Sequence, residues 1–221
     1  MCGRFTLSQQ APAIASVFQL NQVPTIEPRY NIAPTQPVAT VLQTSARERQ
    51  FQLLRWGLIP AWAKDATMGS RLINARAETV AEKPSFRSAF RHRRCLVIAD
   101  GFYEWRRQDG KKQPFYFRMQ NQQPFAFAGL WEHWQDPKGE AIDSCTILTT
   151  EANELLQQIH ERMPVILNPK DYDLWLDPTV QKLEQLQQLL QPYSSTAMTS
   201  YPVSTKVNKP TNDTPELINS L

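Results

Sequence analysis

Short β-type runs set off by turn residues, a few amphipathic stretches at their edges, and the lack of any repeat or linker predict an α+β fold. The expected form is a single compact domain over residues 1–221, with a largely antiparallel β-barrel-like core and peripheral helices. A chain of 221 residues with 41% hydrophobic and 20% charged content has enough apolar mass for a substantial core. No apolar run approaches the roughly 18–20 residues needed to cross a bilayer, so no membrane partner is expected. No basic segment followed by an apolar one marks a signal peptide. Cys2, Cys95 and Cys145 are odd in number, far apart and without metal-ligand spacing, which predicts a reduced, cytoplasmic protein.

Taken along the chain, Ser8 is placed to cap a helix over residues 9–20, with Pro12 in its first turn and Ile14, Val17 and Phe18 on one face. "PRYNIAPTQP" reads as a loop too broken by proline for regular structure. "VATVLQ" and "RQFQLLRWGLIP" read as strands joined by the charged turn "SARER". "LINARAET" is short and mixed, a strand end running into a loop or helix, and "PSFRSAFRHRR" is a basic helix or turn before the apolar strand "CLVIA". "GFYEWRR" and "QPFYFRM" flank "QDGKK", whose Asp109-Gly110 pair signals a hairpin. "PFAFAGLWEHW" and "SCTILTT" add strands. Thr149 or Thr150 is placed to cap a helix reaching Arg162, on the spacing of Ala152, Leu155, Leu156, Ile159 and Met163, with Pro164 as its stop. "PVILNP" is a further short strand, and Leu183, Leu186, Leu189 and Leu190 make the buried stripe of a last helix. In the turn-rich tail, Val203 and Val207 are candidate strand positions.

The net charge of +3 hides an asymmetry. Residues 1–118 hold 18 Lys and Arg against 8 Asp and Glu, whereas residues 119–221 hold 6 against 13. A basic half suits a polyanionic partner, because phosphates are bound largely by Arg and Lys. A solvated basic face explains the same numbers. In a one-domain reading the asymmetry belongs to two faces of one body.

Four residues carry candidate chemistry. If Met1 is removed, Cys2 has a free α-amine and a thiol on one residue, and an α-amine titrates near 7.7–8.0, so part of it is nucleophilic at neutral pH. Cys2 also serves simply as a small residue that permits methionine removal. His160, near a predicted helix C-terminus, is placed to favour the imidazolium form, or to be a half-buried structural residue. Glu104 in "FYEW" has a raised pKa if it faces inward and is a plain surface carboxylate if it faces outward. Asn74 in "LINAR" can donate and accept at a site, or cap a turn. Trp62 in "RWGLIPAWA" sits in a loop where an indole can stack a base, or pack ordinarily.

"MCGRF", "RYNIAP", "WGLIPAWA", "INARAET", "CLVIADGFYEW", "KQPFYF" and "IHERMP" occur here in one order, from Cys2 to about Pro169. Together they resemble the SRAP family, SOS-response-associated peptidases also called abasic-site processing proteins. The resemblance implies the SRAP fold, with a cleft for single-stranded DNA, and covalent capture of abasic sites without cofactor or metal. It implies that Cys2 is the nucleophile, that Asn74 helps bind the opened sugar, that Glu104 is the acid–base group and that His160 assists Schiff-base chemistry. Arg4 and Arg76 match phosphate-contacting arginines and Trp62 falls in the loop beside the lesion. Arg162, Pro34 and Thr149 match DNA contacts more loosely. A thiazolidine joining Cys2 to the ring-opened sugar requires that Met1 be gone. AP-lyase side activity, self-removal of Met1, a monomeric state and replication-fork partners in the DNA-damage response belong to the same expectation. Two other readings stay open on the residues alone: an N-terminal-nucleophile peptidase or amidohydrolase using the Cys2 thiolate, and a non-catalytic single-strand binding module.

Overall fold

The computed structural model describes residues 2–44, 46–108, 110–136, 138–180 and 182–221. Met1, on whose removal the Cys2 chemistry turns, and Asp109 of the predicted hairpin turn lie outside the described residues. Thirteen strands are described: β1 (Phe5–Leu7), β2 (Arg29–Ile32), β3 (Pro37–Gln43), β4 (Arg49–Trp56), β5 (Asn74–Arg76), β6 (Arg94–Ala99) and β7 (Gly101–Gln108), then β8 (Lys111–Met119), β9 (Phe125–Gln135), β10 (Ala141–Glu151), β11 (Arg162–Pro164), β12 (Ile166–Leu167) and β13 (Met198–Pro202). Five α-helices accompany them: α1 (Ala11–Phe18), α2 (Arg87–His92), α3 (Glu154–Gln157), α4 (Tyr172–Leu176) and α5 (Leu183–Gln188).

The α+β class and the barrel-like core expected from sequence are present. Strands β10, β4, β3, β6 and β9 pair in that order, and β9 pairs back onto β10, closing a five-stranded barrel. Four of its five seams are antiparallel, and only β4 against β10 is parallel. Closure removes free edges, and the short β11, β12 and β5 add to strands β10 and β9. Gly129 lets β9 pass close to β6: a Cβ there would stand 2.7 Å from Cys95 Sγ.

A second, fully antiparallel sheet, ordered β13-β8-β7-β1-β2, lies against the barrel. Strand alternation sends Phe5, Phe102 and Phe117 to the shared core, where Phe5 meets Trp56 at 5.1 Å and Phe127 at 5.7 Å between ring centroids. The opposite face presents Tyr103, Tyr116 and Tyr201, which the C-terminal tail covers with Val203, Val207 and Leu217. The tail is held by polar bonds as well. Asn31, fully buried, donates from Nδ2 to the carbonyls of Val207, Lys209 and Asn212, and Asp213 accepts from the backbone N–H of Tyr30 and Asn31.

Several boundaries differ from the sequence expectation. Ser8 is no cap, because both its N–H and hydroxyl go to Asp100 Oδ2, at 2.5 and 2.8 Å, and α1 begins after Gln10. "PRYNIAP" is not all loop: β2 is the edge of its sheet, where the prolines flanking it disturb no inner ladder. Thr149 and Thr150 belong to the 11-residue β10, and the true cap of the much shorter α3 is Asn153, whose Oδ1 accepts from Leu156 N–H at 3.1 Å. Met163 and Pro164 lie in β11, with Met163 opposite Thr150, so ladder pairing overrode the helical spacing. The last helix shrinks to Leu183–Gln188, although Leu186 and Leu190 of its stripe are buried. Val203 makes one bridge, to Ser220, and Val207 lies in a 3-10 turn.

Gly101 supplies a test of the seam between β1 and β7. A Cβ there would stand 2.1 Å from the Tyr116 hydroxyl. Gly101→Ala is expected to lower stability by about 1–3 kcal/mol, as for other overpacked sites, read as a shifted midpoint in urea denaturation. An unchanged midpoint would show that this seam tolerates the extra carbon.

Candidate active site

The site starts from the N-terminal strand. Phe5 pairs with Phe102 and Thr6 with Gly101, and Tyr103 N–H donates to Arg4 carbonyl at 3.0 Å. Before this paired stretch the chain runs through Gly3 to Cys2, whose thiol lies within the field of the Glu104 carboxylate. Cys2 is fully buried in the main core and its thiol donates to the Arg4 carbonyl at 3.9 Å. Burial, and then the negative charge of Glu104, hold the thiol far above its ordinary pKa, so it remains protonated at neutral pH.

Glu104 shares the parity of Phe102 and so points inward, 2% exposed, on a strand whose alternate residues Tyr103 and Trp105 face the tail. Burial raises its pKa, a shift that the bond from Trp105 N–H partly offsets. His160 stands in the turn after α3, its own N–H given to Leu156 carbonyl at 2.8 Å. Its Nδ1 accepts from Arg162 N–H at 3.0 Å, which leaves the proton of the neutral ring on Nε2. The imidazolium expected from a helix C-terminus is not favoured: burial lowers the pKa.

Glu104 and His160 line one cleft of about 860 Å³, together with Arg4, Arg106, Arg107 and Lys112. Arg4 is held rigidly there. Its Nη1 donates to Asn31 Oδ1 at 2.8 Å and to Val207 carbonyl at 2.9 Å, so the tail fixes a cation of the cleft.

The other predicted residues form a second group. Asn74 and Arg76 lie on β5, opposite Ile147 and Thr149 of β10, and are not among the residues lining that cleft. Asn74 Nδ2 donates to Ile73 carbonyl at 3.0 Å, while its buried Oδ1 accepts no hydrogen bond among the described residues. Arg162 is committed to protein: it grips Glu78 in a two-point pair at 2.5 and 3.0 Å and donates to Thr149 carbonyl at 2.6 Å. Its backbone N–H meanwhile holds His160, so Arg162 bridges the two groups. Thr149 is fully buried, which leaves a nucleic-acid strand no surface to touch, and its hydroxyl serves Ala75 and Arg162. Pro34 is half-buried in the turn between β2 and β3.

Trp62 is 58% exposed, contrary to ordinary packing, beside a separate hollow of about 480 Å³ lined by Lys64, Met68 and Arg71. Its loop is anchored beneath. Gly57, at φ +129°, and Gly69 meet so closely that a Cβ on Gly57 would stand 2.5 Å from Gly69 carbonyl, and Trp134 Nε1 donates to Ala63 carbonyl at 2.8 Å. Among the described residues no group of three His, Cys, Asp or Glu can hold a metal ion. No helix among them is long and apolar enough to cross a membrane.

With this geometry in place, comparison with known proteins decides the family. Residues 1–210 match the family model described as SOS response associated peptidase (SRAP). The chain belongs to the SRAP family. It is 48% identical over 224 residues to the abasic site processing protein YoqW of Bacillus subtilis, with all of both chains covered. It is 34% identical to the abasic site processing protein HMCES of Xenopus tropicalis, covering 86% of this chain and 65% of that one. A solved structure from Bacteroides thetaiotaomicron matches all of both chains with a TM-score of 0.88 at 28% identity.

Within this SRAP chain, sequence reading missed Asn31, Arg106, Arg107 and Lys112. Asn31 stood inside the quoted "RYNIAP", and the alternation that turned Glu104 inward also assigns Arg106 to its side of the strand.

Asn31→Ala removes the Arg4 acceptor and the amide nitrogen that donates to three tail carbonyls. The expected loss is about 2–3 kcal/mol, given the cost of leaving buried partners unsatisfied, with the tail becoming sensitive to limited proteolysis. Full stability would dissociate the tail from this residue. Glu104→Gln gives a pH test. A folded-state pKa raised above the ordinary 4.5 means that wild type loses stability as pH rises through it, a loss that glutamine does not suffer. The melting temperature of the variant minus that of wild type should therefore grow from about pH 4 to about pH 8; a constant difference would contradict the raised pKa.

Proposed function

We propose that this protein processes abasic sites in single-stranded DNA by forming a covalent cross-link through Cys2. The observation that carries the reading is a fully buried Cys2 whose thiol feels the charge of buried Glu104, at the mouth of a cleft that Glu104 lines with His160 and four cationic side chains. Relatives named as abasic site processing proteins, matched over the whole chain or most of it, support the choice of substrate.

The chemistry uses groups already in place. With Met1 removed, the neutral Cys2 α-amine adds to the C1′ aldehyde of the opened sugar and gives a carbinolamine. Glu104, whose pKa burial raises, serves as the acid: it gives a proton to the departing hydroxyl, water leaves, and an iminium forms with Glu104 left as a carboxylate. That carboxylate takes the Cys2 thiol proton as sulfur attacks the iminium carbon and the C=N electron pair goes to nitrogen, which closes a thiazolidine and restores the Glu104 acid. One water is lost overall. The sequence of transfers suits a carboxyl whose pKa burial raises above the ordinary value, and it suits a thiol that stays protonated until the iminium is formed. His160, neutral with its proton on Nε2, donates to the sugar oxygen during ring opening. The unmet Oδ1 of Asn74 offers an acceptor to a sugar hydroxyl. Arg4 and Arg76 contact phosphates and exposed Trp62 stacks on a base. Imine formation also opens a route to β-elimination, hence AP-lyase side activity. The protein acts as a monomer in the DNA-damage response, without cofactor. Arg162, already paired with Glu78, acts by holding His160.

A thiolate-driven peptidase fits less well, because such a nucleophile needs a lowered thiol pKa and burial of Cys2 raises it.

The test mixes purified protein with a single-stranded oligonucleotide carrying one abasic site, resolved on a denaturing gel. Wild type whose intact mass shows Met1 absent should give a shifted band, with the mass of both components less one water. Cys2→Ala and Cys2→Ser, which both keep the α-amine and lose the thiol, should give no band without reduction and a trapped one after borohydride. Equal adduct from wild type and Cys2→Ala without reduction would refute the proposal.

A further inference from the structure

The hairpin of β7 and β8 carries two cations that its own folding disfavours. Arg107 and Lys112 are direct cross-strand partners, and like charges in that position repel. Both are exposed, and among the described residues neither takes part in a salt bridge. Both line the cleft that holds Glu104 and His160. On the same face of β7 lies Trp105, its indole N–H given to Asn208 Oδ1 at 2.8 Å, so that an aromatic body stands next to the cationic pair. Arg106 flanks them with its guanidinium 4.9 Å above the Phe115 ring, which keeps it against the cleft wall. Among the described residues, the acidic ones that line this cleft are Glu104, which is buried, and Glu161 on the His160 side.

We propose that Arg107 and Lys112 form a phosphate subsite that grips the DNA backbone where the strand leaves the Glu104–His160 cleft over the β7–β8 hairpin. A phosphodiester placed between them turns a repulsive pair into two attractive contacts, so the like-charge register is a binding device rather than a folding one. Cations beside an aromatic body fit a nucleic-acid strand better than an acidic peptide, because successive bases supply flat faces where a peptide does not. The subsite reads no sequence: it positions the strand relative to the lesion-reacting groups. This inference rests on the proposed DNA substrate and adds to it a path for the flanking strand.

The experiment measures binding of an undamaged single-stranded oligonucleotide by fluorescence anisotropy across a salt series, using the full chain. Each lost phosphate contact should flatten the plot of log affinity against log salt by about 0.7. Arg107→Glu is expected to weaken binding and flatten the slope by that amount. Its melting temperature should hold or rise, since glutamate opposite Lys112 makes a favourable pair. The double variant R107E/K112E should flatten the slope by about 1.4. Lys170→Glu with Lys182→Glu, which do not line the cleft and make the same charge change, should leave the slope unaltered. A slope that R107E/K112E does not change, or one that both double variants flatten equally, would overturn the subsite. Wild type that forms no abasic-site adduct while keeping the R107E/K112E effect would sink the catalytic reading and leave the strand path standing.

Discussion

Phe5 occupies the ladder opposite Phe102, and its ring reaches into the barrel against Trp56 and Phe127. With Phe102, whose ring also meets Phe127, at 5.9 Å, it ties the second sheet to the closed barrel. It also ends the freedom of the N-terminus, because a strand packed on both sides cannot slide without turning its side chains to the wrong face. From Phe5 the ladder runs back to Arg4, whose carbonyl accepts from Tyr103, and the chain then reaches Cys2, whose thiol feels the charge of Glu104. A terminal residue is ordinarily among the least ordered in a chain. Here its neighbour is core, and the cost of ordering it is met by aromatic burial a few residues away.

Burial then decides the chemistry of each group. Glu104, Cys2 and His160 are all shifted toward their neutral forms, the first two upward and the last downward, with desolvation as the largest cause in each. Groups shifted toward their neutral forms next to cationic walls suit the phosphate backbone of the proposed substrate, because the walls keep their charge for it. The walls are also braced. Asn31 and the Val207 carbonyl leave the Arg4 head little freedom, and the two-point Arg162–Glu78 pair sets the turn that offers His160. The C-terminal tail is thereby part of the site, although its sequence reads as turns.

Elements whose signal was local were readable in advance. The strands of β3, β4, β6, β9 and β10, the β7–β8 hairpin and α2 follow from apolar runs and turn residues. Where the reading failed, a distant partner had intervened. Asp100 took the Ser8 groups that would have capped α1, β2 found an edge on which its prolines were harmless, and Met163 was drawn from a helical stripe into pairing with Thr150. The four residues of candidate chemistry could be named because their types and motifs are distinctive. Arg107 and Lys112 could not, since a cation on a polar strand end looks like any solvated charge until its cross-strand neighbour is known.

By itself, the sequence determined the fold class and the family and named the candidate reacting groups, because composition, strand periodicity and ordered motifs are properties of the chain read in one dimension. Only the tertiary structure decided that Glu104 faces inward beside Cys2, that Arg162 holds a histidine as well as a carboxylate, and that Thr149 is out of reach of a ligand. Those outcomes depend on which strand lies next to which and on how much water each group loses. Neither quantity exists until the barrel has closed and the N-terminal strand has found its place against β7.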